Sequence, residues 1–245
     1  MLLVILLVVG AILLTFALVW LVDKFLPSKL KPVLIILLWV IIAFLGYQTY
    51  RSVNDPIKFN KLKNERYAKV IDKLVDIRDA QLAHKQVTGK FAENFDALVK
   101  FIDTAEFTLT QRRDTSVLDA EMTKRYGVDM FKEIVITDTL GTRPVKDSIF
   151  KGSERYKKMM NVPFAANGEK FEMQAGFIEQ SGAKIPVFEA KVKKDVILHD
   201  QDKDLLIQEN QVISVDGVNG DALKVGSMEE VNTNGNWPKN YDKAE

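Results

Sequence analysis

Two long uncharged apolar runs open this chain, and a charged amphipathic stretch follows the second without a break, which leaves few folds open to it. Residues 2–22 contain no charged side chain, and at about 1.5 Å per residue a helix of that length crosses a hydrocarbon core of roughly 30 Å. No basic residue precedes Lys24, and the run ends in "ALVWLVDKF" without a small-residue cleavage site. It therefore reads as a retained transmembrane helix with Trp20 at the interface. The second run, residues 33–50, is also uncharged and reaches about 27 Å as a helix. Pro32 suits its first turn, where a missing N–H costs nothing. The connector between the runs is short, so the pair is expected to form an antiparallel hairpin. Neither run carries Asp, Glu, Lys, Arg or His, which argues against a charge-lined ion path.

Beyond Lys58 the pattern turns helical. Tyr67, Val70, Leu74 and Ile77 recur at helical spacing, continued by Gln81 and His84, while Lys69, Asp72, Lys73, Asp76 and Asp79 fall on the other side. Such a stripe either packs on the chain's own domain or zips two copies into a short parallel coiled coil, and both readings stay open. Gly89 ends the helix and Asn94 caps a second one, "FDALVKFIDT". Further on, "SVLDAEMTKRYG" could form a helix, while "EIVITDTL" and "PVKDSIF" alternate like strands joined at Gly141. Residues 171–192 read as a β-hairpin turning at Gln180-Ser181-Gly182-Ala183. "DKDLLIQENQVI" reads as a helix capped near Asp202, and "ALKVGSM" as a last strand. The expected fold is α+β. Residues 1–50 form a transmembrane hairpin (helices about 2–22 and 33–50), and 51–88 a neck and stalk helix continuous with the second span. Residues 89–230 form a globular domain with an antiparallel sheet, and 231–245 a C-terminal loop.

Charge divides along the chain. Residues 1–58 hold five Lys/Arg against two Asp/Glu, 59–100 hold nine against six, and 101–245 hold 20 against 25. A basic neck suits anionic headgroups of a lipid bilayer. The acidic remainder shows no basic patch interleaved with aromatics, so no nucleic-acid partner is expected. There is no cysteine and there are two histidines, which removes disulfides, thiolate sites and two-histidine zinc motifs. No phosphate-cradling glycine loop or Gly-x-Ser-x-Gly elbow is present. Asp200, Asp202 and Asp204 have the 1-3-5 spacing of a calcium loop, but Leu205 stands at the turn glycine and Gln211 at the bidentate glutamate. Capping and solvation explain these aspartates better, so no metal and no cofactor are expected. The adjacent Arg112 and Arg113 would face opposite sides of a strand. Trp237, the one tryptophan outside the apolar runs, either covers the core or anchors a partner.

The run "LVDIRDAQLAHKQVTGKFAENFDALVKFI" resembles the end of the long N-terminal helix of type IV pilins and type II secretion pseudopilins. The resemblance rests on Ala80-Gln81, Gly89-Lys90-Phe91 and Asp96-x-Leu98, and on the order of parts. The chain is also similar to a group of uncharacterised bacterial membrane-anchored proteins that close with a "VGS…NTNGNWP" stretch. The resemblance implies a pilin-like helix-plus-sheet domain on the extracytoplasmic side of the inner membrane. Counting positive charges in the connector and the neck does not by itself decide the orientation. The expected function is non-enzymatic: a structural or assembly protein that self-associates or meets another envelope protein. Tyr67, Val70, Leu74, Ile77 and Trp237 are the candidate interaction residues. The alternative is an extracytoplasmic sensor or ligand-binding module with a polar pocket. The third reading is an envelope enzyme using Asp200, Asp202 and Glu209.

Overall fold

The computed structural model describes residues 9, 10, 13, 15–17, 19, 20, 24, 27 and 30–241. Most of the first apolar run, 2–22, lies outside the described residues; those described within it are helical and exposed. The chain divides into two compact units, Met1–Lys58 and Phe59–Glu245.

One helix, α1 (Lys31–Thr88), belongs in sequence to both units. In the first unit its residues 35–50 are exposed on every side. A helix apolar all round is stable only where water is absent. Among the described residues α1 is the one helix long and apolar enough to cross a membrane. A membrane anchor fits it. Past the apolar part, Arg51 pairs with Asp55 one turn on at 3.0 Å, and Pro56 continues the helix although it withdraws one backbone donor.

The second unit is α+β with antiparallel sheets. Here α1 buries one face, from Phe59 through Tyr67, Val70, Ile71, Leu74 and Ile77 to His84. It stops at Gly89 (φ 79°), a left-handed position that glycine takes without strain. The short helix α2 (Phe95–Thr104) starts at Asn94, whose side chain accepts from the Ala97 N–H. Leu98, Phe101 and Ile102 turn inward from it. Next, β1 (Glu106–Leu118) runs out to the helix α3 (Ala120–Tyr126), and β2 (Phe131–Pro144) runs back. Among the described residues these two strands pair only with each other. Gly141 does not make the turn between strands. It sits inside β2 at φ 155°, beside a bulge opposite Leu109 and Thr110 that leaves Leu140 exposed.

"PVKDSIF" is a helix rather than a strand: α4 spans Val145–Phe150. As a strand it would set Asp147 between Val145 and Ile149 on one face. As a helix it buries Val145 and Phe150 and turns Asp147 to solvent. A three-stranded sheet follows, in the order β3 (Glu172–Gln180), β4 (Ala183–Lys193), β5 (Ala222–Gly226). Ser181 (φ 54°) and Gly182 (φ 78°) form the two-residue turn between β3 and β4, with both central residues at positive φ as the twist of a tight hairpin requires. The helices α5 (Lys194–Ile197) and α6 (Lys203–Asn210) lie between β4 and β5.

The buried face of α1, α2, α4 and the inner side of the sheet share one core. Phe91 meets Phe188 at 4.6 Å between ring centres, and Phe150 meets Tyr156 at 5.3 Å. Gly226 closes the sheet at φ 77°, where an added Cβ would lie 2.2 Å from the Phe188 carbonyl oxygen. By contrast, a Cβ at Gly89 would meet nothing within 4 Å. Gly226→Ala should therefore cost more than about 2 kcal/mol, and Gly89→Ala about 1 kcal/mol for its backbone alone. Urea unfolding of both variants in detergent measures the difference.

Candidate functional site

The candidate interaction stripe faces inward. Tyr67, Val70, Leu74 and Ile77 are each 0% exposed, packed within the chain's own domain. This corrects the expectation that they carry self-association. An apolar stripe has the same spacing whether its neighbour is a second copy or the same chain's sheet, and here the chain's own core takes it.

At one end of the stripe sits a buried polar cluster. Glu209, on α6, accepts from Lys63 Nζ at 2.9 Å and from the Tyr67 hydroxyl at 3.3 Å. Lys194, at the start of α5 and fully buried, lies 3.2 Å from the same carboxylate. Its ammonium also donates to the carbonyls of Glu209 and Val218 at 2.7 and 2.8 Å. Burial lowers the Lys194 pKa, and Glu209 opposes that shift. Burial first, and the Glu209 carboxylate second, push the Tyr67 hydroxyl far above its ordinary value, so it stays a neutral donor. Every ammonium proton is engaged, and Lys194 has no exposed surface. It joins α5 to α6 and to the loop before β5, and Glu209 carries the link on to Lys63 and Tyr67 of α1. Sequence reading missed Lys194 because an isolated lysine after a strand carries no sign of burial.

The carboxylates of the enzyme reading are each taken up by a separate structural partner. Asp200 is held by both terminal nitrogens of Arg66, at 2.6 and 2.7 Å, which keeps its carboxyl well below the usual range. Asp202 caps α6 by accepting from the N–H groups of Asp204 and Leu205, and Glu209 belongs to the buried cluster. Among the described residues no group of three or more His, Cys, Asp or Glu could hold a metal ion.

The residues behind the pilin resemblance form a latch at the other end of α1. The Gln81 side chain donates to the Ala92 carbonyl at 2.9 Å and accepts from the Ala92 N–H at 2.8 Å. His84 Nδ1 donates to the Lys90 carbonyl at 2.6 Å, and its ring meets Phe101 edge-on at 4.7 Å. These contacts fold the chain back after Gly89. Trp237 is half-buried against the core, with its ring over Gly235, where a Cβ would come within 2.3 Å of the indole. Asn236 secures the same loop by accepting from the Lys224 N–H at 3.0 Å and donating to the Ala222 carbonyl at 2.8 Å.

Two surface features stand out among the described residues. One is an open groove of about 590 Å³ along the charged side of α1, where Asp76, raised by partial burial, pairs with Arg155 at 3.1 Å. The other is the β1–β2 ribbon, where Phe131, Val135 and Leu140 of β2, and Tyr126 of α3 at its tip, are all more than half exposed. Comparison with protein-family models, curated proteins and solved structures returns no match.

Two outcomes test this reading of the buried and paired charges. Lys194→Met leaves two carbonyls unsatisfied and weakens the neutralisation of Glu209, and should cost about 3 kcal/mol in urea unfolding. Asp200 has a depressed folded pKa, so its stabilisation is complete above its ordinary value of 3.8 and is lost as pH falls through the lower folded value. Asp200→Asn should therefore be less stable than wild type at neutral pH, and the difference should shrink under strongly acidic conditions. Thermal unfolding across a pH series reads it.

Proposed function

We propose that this is a non-enzymatic, membrane-anchored assembly or interaction protein that displays a pilin-like α+β domain outside the cytoplasmic membrane. The observation that carries the reading is α1 itself. One helix of 58 residues has an apolar stretch exposed on every side and, further along, a face fully buried in the domain. A domain built on the same helix as its anchor is suited to being held at a membrane surface. The second transmembrane helix, over residues 2–22, belongs to this proposal, as does the pilin-like character of the Gln81–Phe91 latch. Catalysis finds little support in the paired and capping roles of Asp200, Asp202 and Glu209. The sensor reading draws on the α1 groove, whose walls carry Lys69, Lys73 and Arg155 alongside Asp72, Asp76 and Asp79. A mixed lining of this kind suits a zwitterionic ligand more than a charged polymer.

A reporter active only outside the cytoplasm, fused after Glu245, should be active, and a cytoplasmic reporter at the same place should be silent. Amine crosslinking in native membranes should then capture the protein in complexes larger than a monomer. The opposite reporter pattern contradicts the extracytoplasmic domain, and monomer alone contradicts the assembly role.

A further inference from the structure

The β1–β2 ribbon is the one part of the second unit whose two long strands lie outside the shared core for most of their length. It has 13 residues in β1 and 14 in β2, and among the described residues each strand has a single partner. Isolated two-stranded ribbons are marginal in water, and an open apolar edge is a template for pairing. The outer edge of β2 has the stronger strand composition. Its regular part runs from Phe131 to Thr139, before the bulge at Leu140, and reads Phe-Lys-Glu-Ile-Val-Ile-Thr-Asp-Thr. Val135 is its centre. It is 56% exposed, with Ile134 and Ile136 half-buried on the opposite face.

We propose that this edge pairs antiparallel with the same edge of a second copy, about a two-fold axis at Val135, giving a four-stranded sheet. The proposal rests on the assembly reading above and names its partner. Two-fold pairing of a strand with itself sets opposite each other residues that lie equally far on either side of the centre, and these share a face. Centred on Val135, Ile134 meets Ile136, Glu133 meets Thr137, and Lys132 meets Asp138, each twice over. Val135 and the two isoleucines face apolar partners and Lys132 faces Asp138, while Glu133 and Phe131 each face a threonine. A centre at Ile134 instead sets Lys132 against Ile136 and Glu133 against Val135. A centre at Ile136 sets Ile134 against Asp138 and runs into the bulge. The β1 edge is poorer, because a centre at Arg113 or Asp114 opposes like charges. Charge over the whole ribbon also favours like meeting like: residues 106–144 hold six Lys/Arg and seven Asp/Glu. Within the ribbon Arg113 already pairs with Asp138 at 3.0 Å, so Lys132 of the second copy would extend an existing ion pair. Register is well specified when one step misplaces every side chain.

The chain has no cysteine, so single-cysteine variants of the full-length protein in membranes read the register directly. Val135→Cys places two thiols directly opposite, about 5 Å apart at Cβ. Thr137→Cys places them about 13 Å apart along the edge, beyond disulfide reach. Under mild oxidation Val135→Cys should give at least about tenfold more disulfide dimer than Thr137→Cys or the β1 variant Ser116→Cys. Val135→Asp, at a site already exposed in the monomer, should reduce amine-crosslinked dimer about tenfold by setting two carboxylates face to face. Equal crosslinking at Val135 and Thr137, or preferential crosslinking at Ser116, overturns the proposal. So does a dimer unaffected by Val135→Asp. Amine-crosslinked complexes without a Val135 disulfide overturn the ribbon edge and leave the assembly reading standing. Monomer under both reagents overturns both.

Discussion

Burial of one face of α1 is the constraint on which the second unit depends. From Phe59 to His84 that face supplies a large share of the core, and both ends of the contact are fixed by polar groups with defined geometry. At one end Lys63, Tyr67, Lys194 and Glu209 satisfy one another. At the other, Gln81 and His84 hold the backbone of Lys90 and Ala92. Apolar burial is non-directional and would tolerate a helix rotated or slid by a turn. Buried hydrogen bonds do not tolerate it, because an unmatched donor or charge loses its solvation without compensation. The polar ends therefore set the register that the apolar stripe stabilises.

The ribbon of β1 and β2 stands under the opposite regime. Near its base, Phe107 and the chain entering α4 touch the core, but most of its length is held by cross-strand pairs alone. The Val145 N–H donates to the Ala105 carbonyl at 3.0 Å, closing that base. Beyond it, Asp119 caps α3 and Gly127 (φ 73°) ends it, so the tip is ordered by local chemistry. A segment built this way has low local stability and a large accessible backbone, which suits an element that completes its structure on meeting a partner.

Much of this architecture was legible in the sequence where the signal is local. Gly89, Asn94 and Asp202 act as the terminators and caps that their chemistry predicts. The hairpin turn falls at Ser181-Gly182, within the predicted stretch. What could not be read locally is what each face meets. Tyr67, Val70, Leu74 and Ile77 are apolar at helical spacing in a core or in a coiled coil, and only the fold assigns them to the core. "PVKDSIF" fits two periods over seven residues, and tertiary burial of Val145 and Phe150 decides for the helix. The roles of Lys194 and Glu209 depend on their meeting across 15 residues and on Glu209 reaching Lys63 and Tyr67 across 146 and 142, which no short motif encodes. The open edge of β2 was hidden for the same reason. "EIVITDTL" reads as a strand whether it is central or lateral, and the number of its neighbours is a property of the sheet.

The α1 face from Phe59 to His84 is internal to the second unit, and the ribbon is external. Hydrogen exchange on the full-length protein, at high and low protein density in a bilayer, separates the two most directly. The amides of residues 59–88 should be strongly protected at both densities, and those of residues 131–139 should gain protection only at high density. Protection of residues 59–88 that falls on dilution, with the ribbon unchanged, would make the helix stripe the interface after all and contradict the account.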